Sequence, residues 1–140
     1  MRLAGIVVIV LLATPILAAT GNWKVSWENV KTETDGCFFF SGPDGRDDKL
    51  VGEASIVRDG DLLAIHFGKV VFRGRTTPQG FTVSRKSEHD FNGSWNVTEV
   101  ISGKRLESPI RAHYRYNECQ VGDAECPGQC TINGTIVFKR

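Results

Sequence analysis

Residues 110–138 read Ile110-Arg111-Ala112-His113-Tyr114-Arg115-Tyr116-Asn117-Glu118-Cys119, then a connection ending Cys126-Pro127-Gly128-Gln129-Cys130, then Ile132-Asn133-Gly134-Thr135-Ile136-Val137-Phe138. In the first run apolar and polar residues alternate, so Ile110, Ala112, Tyr114 and Tyr116 share one face and Arg111, His113 and Arg115 the other. A period of two belongs to a half-buried strand, because successive side chains leave opposite faces of the pleat. The connection holds a Pro-Gly pair between cysteines and runs into a second apolar strand. The whole stretch therefore reads as two strands joined by a stapled link.

Working outward, the same short alternating runs recur, separated by Gly, Asp, Asn and Pro, and helical periodicity is hard to find. Trp23, Val25 and Trp27 share a face. Gly36-Cys37-Phe38-Phe39-Phe40-Ser41 is apolar on both faces and reads as a covered strand, followed by a polar loop to Leu50. Ala54–Arg58 and Leu62–Phe67 meet through Asp59-Gly60, a dipeptide suited to a tight hairpin turn. Lys69–Arg73 and Phe81–Lys86 follow. Phe91-Asn92-Gly93-Ser94-Trp95-Asn96-Val97 reads as a further strand with Phe91, Trp95 and Val97 inward. Its Asn-Gly is taken as a bend, with a hairpin turn as the alternative. Roughly eight or nine short strands with hairpin-length links leave no room for crossover helices. The fold class is all-β, a small antiparallel meander barrel, with a β-sandwich as the alternative. The immunoglobulin sandwich is disfavoured because Tyr116 stands three residues before Cys119 and no Trp follows Cys37 until Trp95. The general shape is one shared by lipocalin-like and avidin-like proteins, but none of their identifying motifs can be laid on this chain.

Residues 1–19 read as a secretory leader: basic Arg2, an apolar run from Leu3 to Leu17, then Ala18-Ala19 for cleavage. Residues 20–140 form a single domain, with no membrane span expected in the mature chain. Four cysteines behind a leader read as disulfides, hence a secreted or periplasmic protein. Cys37–Cys130 with Cys119–Cys126 is the preferred pairing, the alternatives being Cys126–Cys130 or Cys119–Cys130. Zinc is disfavoured, since Cys-x6-Cys-x3-Cys is not a set of Cys-x2-Cys pairs. The chain carries 17 basic and 16 acidic residues, and loss of Arg2 with the leader brings it to neutrality. With neither a basic excess nor a cluster, nucleic acid is set aside.

Chemistry-bearing motifs are sparse. Glu88-His89-Asp90 would offer a general base or a metal ligand, but strand neighbours diverge, and a solvated loop is the plainer reading. His113 does not join it by parity, lying with Arg111 and Arg115 on the outer face, and His66, on a face with Leu62 and Ala64, reads as a partly covered histidine. Asp44-Gly45-Arg46-Asp47-Asp48 fails as a calcium loop, with Arg46 at the third position and Ser55 at the twelfth. No Gly-x-Ser-x-Gly elbow or phosphate-binding glycine loop occurs. No cofactor, metal or catalytic residue is expected. Asn92, Asn96 and Asn133 head sequons, acceptors only in a eukaryotic host. The remaining clue is aromatic: Phe81, Phe91, Trp95, Tyr114 and Tyr116 would line a cup for an apolar or planar ligand, or else simply fill a core. The expectation is a non-catalytic exported binding domain that recognises a small ligand or another macromolecule through its barrel mouth and loops. An inhibitor or interaction module for an exported enzyme, presenting the Cys119–Cys130 loop, is the second. An enzyme using His89 and Asp90 is the third.

Overall fold

The computed structural model describes residues 22–32, 37–40, 50–122 and 130–140. Eight strands follow in order: β1 (Trp23–Thr32), β2 (Gly52–Asp59), β3 (Leu62–Phe67), β4 (Val70–Thr77), β5 (Gly80–Asp90), β6 (Ser94–Gly103), β7 (Ile110–Gln120) and β8 (Cys130–Lys139). Each pairs antiparallel with its sequence neighbour, and β8 returns to β1 to close a barrel. The meander barrel is the observed architecture, not the sandwich. Closure pairs β8 with β1 instead of leaving each as a bare edge. The expected leader, residues 1–19, lies outside the described residues.

Local chemistry explains the hairpins. Asp59 pairs with Leu62, so Gly60 and Asp61 form the turn, and Gly60 takes the left-handed φ of 59° that glycine accepts at no steric cost. Asp90 pairs with Ser94, which makes Asn92-Gly93 part of the β5–β6 turn and not a bend inside a strand. Asn92 sits at φ 50°, a region Asn tolerates better than most residues. Phe91 consequently leaves the ladder and is 50% exposed, contrary to its expected inward position. Inside β4, Gly74 faces Leu63 and Val83, and a Cβ there would land on the Thr82 carbonyl. This close approach is what a barrel corner requires.

The barrel is filled from the middle by Ile65, Phe72, Ile101, Ile110, Ile136 and Phe138, all buried. Each such side chain stabilises the fold by about 1.5–3 kcal/mol. The β2–β3, β4–β5 and β6–β7 turns lie at one end, together with the start of β1 and the end of β8. The β5–β6 turn, the end of β7, the start of β8 and the Cys37–Phe40 segment gather at the other, the cysteine end. Among the described residues no helix is long and apolar enough to cross a membrane, which says nothing of strands.

Candidate functional site

The cysteine end is built on the inner faces of β5, β6, β7 and β8. Glu118 follows Tyr114 and Tyr116 in the inward parity of β7, and its register partner on β8 is Cys130. Cys130 is bonded to Cys37, with their Cα atoms 5.5 Å apart. That bond delivers Phe38 and Phe39 to the Glu118 carboxylate, which accepts their backbone N–H groups at 2.9 and 2.7 Å. Here the expected strand at residues 36–41 gives way to another arrangement. Two backbone donors that a neighbouring strand would have taken are spent on a carboxylate, and within Cys37–Phe40 no strand forms. The disulfide is compatible with an oxidising, exported compartment. Cys119 is disulfide-bonded as well, while its expected partner Cys126 lies outside the described residues.

The segment closes over aromatic rings. Phe39 stacks on His89, with centroids 4.5 Å apart and planes 16° off parallel. Phe40 packs on Tyr116 at 4.9 Å, and Phe38 meets Trp95 at 5.2 Å and Phe91 at 5.6 Å. Below them lie two buried carboxylates. Glu118 is fully buried and also accepts the Tyr116 hydroxyl at 2.6 Å. Glu99, 5% exposed, accepts Arg85 Nε at 2.7 Å and the Tyr114 hydroxyl at 2.8 Å. Arg85, Glu99 and Tyr116 are direct register partners across β5, β6 and β7, so the row is set by strand pairing. Burial pushes the Tyr114 and Tyr116 hydroxyls well above their usual range, and the carboxylates they donate to, Glu99 and Glu118, add to the rise.

Sequence parity placed Trp95, Tyr114 and Tyr116 inside, and the structure brings them together at this end. Phe81 is buried at the opposite end, opposite Gly103 on β6, and Phe91 lies outside against Phe38. His89 points inward while Glu88 and Asp90 are exposed, and Asp90 accepts a hydrogen bond from Ser94 Oγ at 3.3 Å. The triplet therefore diverges, as adjacent strand residues must. Of the other histidines, His66 is half-buried and His113 exposed, both on the outer face. Cys37, Glu118 and Cys130 bring potential metal ligands within 4.8 Å of one another. Both sulfurs are committed to the disulfide, however, so no thiolate is on offer. Asn92, Asn96 and Asn133 all lie towards the cysteine end, the first two exposed and the third half-buried.

Arg85, Ser87, Glu99 and Glu118 escaped the sequence reading of this end. Glu99 and Glu118 share the parity that placed Trp95, Val97 and Tyr116 inside, and that parity is the signal that identifies them. The β4–β5 ladder stops at the Arg73–Ser84 pair, so among the described residues Arg85 to Asp90 are paired on the β6 side only. Along this free flank the inward side chains Arg85, Ser87 and His89 keep partial exposure. Ser87 Oγ and His89 Nε2 are 3.1 Å apart, and Arg85 lies 6.0 Å from the centre of the buried Phe72 ring. Among the described residues Arg85 spends only Nε, on Glu99, which leaves the ends of its guanidinium as donors beside the Phe72 ring. Among the described residues no carboxylate bonds to His89, so nothing orients it as the base of a serine nucleophile. Outside, Phe38, Phe91 and Val121 are exposed at the same end. Compared with protein-family models, with curated proteins and with solved structures, the chain finds no match.

Proposed function

We propose that the protein is a non-catalytic binding barrel, secreted or periplasmic, that takes a small amphipathic carboxylate into its cysteine end. The observation that carries this reading is the run Arg85, Ser87, His89: three polar, hydrogen-bonding side chains on the inner face of β5, partly exposed where β4 no longer covers them. A cation beside Phe72, in line with Ser87 and His89 along β5, suits a ligand with an anionic head and an apolar body. The test is calorimetric titration of the purified protein with dodecanoate and with a planar aromatic carboxylate. Saturable one-site binding is expected, weakened at least ten-fold in Arg85→Met combined with Glu99→Gln, a pair that does not strand the Glu99 carboxylate without its cation. Absence of saturable binding, or equal binding by the double variant, would refute it.

A second reading is an interaction module for an exported protein, favoured by the exposed Phe38, Phe91 and Val121 beside the stapled connection. Capture of a partner that is lost in Phe38→Ser/Phe91→Ser, with dodecanoate binding intact, would favour it over the first.

A further inference from the structure

A second site lies on the outer face at the opposite end, independent of the lumen. The register aligns Arg75, Thr82, Ser102 and His113 in one continuous row across β4, β5, β6 and β7. All four line a groove of about 870 Å³ that also takes in Lys104, Arg105 and Arg111. Four permanent cations and an imidazole thus converge, and no carboxylate belongs to the lining. In sequence these cations are scattered, and no cluster was expected. Pairing of four strands gathers them.

The charges are only partly neutralised. Asp61 holds Arg75 at 2.6 Å and Glu28 holds Arg111, each carboxylate standing outside the groove. Lys104 and Arg105, exposed in the β6–β7 loop, have no partner among the described residues. At about 4.8 Å per strand, Arg75 and His113 are roughly 14 Å apart along the row. Between them the sheet presents the hydroxyls of Thr82 and Ser102.

We propose that this groove binds a sulfated glycan. An extended chain carrying an anionic group on successive sugars matches cations spread along a row, and its hydroxyls match the Thr82 and Ser102 side chains between them. Nucleic acid fits less well, because Phe81, the one phenyl ring in the lining, is buried, and the His113 imidazole alone does not make a platform for successive bases. The row also lies at the end away from all three sequons, so carbohydrate attached there leaves the groove clear.

The experiment is titration of the whole chain with a heparin-derived hexasaccharide at near-physiological salt. Inorganic sulfate, a single-stranded DNA oligonucleotide and phosphatidylserine-containing vesicles serve as parallel probes. Saturable hexasaccharide binding that weakens as salt is raised is expected. Lys104→Ala/Arg105→Ala should weaken it at least ten-fold, Thr82→Glu should weaken it similarly, and Lys69→Ala/Lys86→Ala, away from the groove, should not. Circular dichroism of each variant checks the fold. The proposal is overturned if the hexasaccharide does not bind, if the groove variants bind as the parent does, or if sulfate alone, DNA or vesicles bind the groove as tightly.

Discussion

Glu118→Gln isolates the contact on which the closure of the cysteine end depends. One carboxylate oxygen accepts Tyr116 Oη at 2.6 Å and Phe39 N at 2.7 Å, and the other accepts Phe38 N at 2.9 Å. Glutamine keeps one oxygen and turns an NH2 towards a backbone donor. A hydrogen bond to a charged group is worth about 1.5–3 kcal/mol, so one of that size is lost and two others fall towards the neutral value of about 1 kcal/mol. Release of a buried carboxylate from its desolvation penalty offsets part of this, leaving a net loss of about 2 kcal/mol. That corresponds to about a thirty-fold change in an equilibrium constant. The loss should appear first as local opening, because the disulfide still tethers Cys37. Amide exchange by NMR should therefore accelerate by up to about thirty-fold at Phe38 and Phe39, ahead of the barrel strands. Tyr116→Phe, which removes a single bond to the carboxylate, should cost about 1.5–3 kcal/mol in urea unfolding. Unchanged exchange at Phe38 and Phe39, or acceleration shared equally by β7 and β8, would refute the idea that Glu118 anchors the segment.

Three further outcomes follow from the same framework. Above about pH 10 the unfolded chain ionises Tyr114 and Tyr116 while the folded barrel keeps them protonated, so stability present at lower pH is lost as pH rises; at about pH 11 the loss is roughly 1.4 kcal/mol per tyrosine. Urea unfolding of the parent beside Tyr114→Phe/Tyr116→Phe checks this, and an equally steep alkaline decline in the double variant would count against it. Gly74→Ala should lower stability by about 3 kcal/mol, since its Cβ meets the Thr82 carbonyl, a backbone atom that cannot rotate away; a thermal midpoint equal to that of the parent would show that β4 and β5 can separate. Cys37→Ser/Cys130→Ser opens a loop spanning 93 residues and should cost about 4–5 kcal/mol in chemical unfolding.

What could be read from the sequence was whatever local periodicity decides. The β2–β3 hairpin follows from alternating apolar residues around Gly60, and the inward face of β7 from Ile110, Ala112, Tyr114 and Tyr116. Cys37–Phe40 misled because three consecutive phenylalanines have no parity to read, and the donor–acceptor pairs that settle their course join residues 79 and 80 apart in sequence. Phe91 misled for a different reason: Asn92-Gly93 supports both a bend and a turn, and only the pairing of Asp90 with Ser94 chooses. The cationic groove was invisible because it depends on the register of four strands, which turn lengths set one hairpin at a time.

Closure by the Cys37–Phe40 segment and binding in the lumen share residues, and this makes the two readings mutually testable. Phe39 covers His89, and a ligand that reaches Arg85, Ser87 and His89 from above has to displace that ring. A protein whose binding-competent state is only fractionally populated shows an affinity reduced by that fraction. Glu118→Gln weakens the closed state without altering Arg85, Ser87 or His89, so dodecanoate should bind the variant more tightly, by at most the same factor of about thirty. An unchanged dissociation constant would mean that ligand enters along the free flank of β5 and the segment is no gate. Weaker binding would mean that Phe38 to Phe40 form part of the site, since loosening a lid that only obstructs cannot reduce affinity.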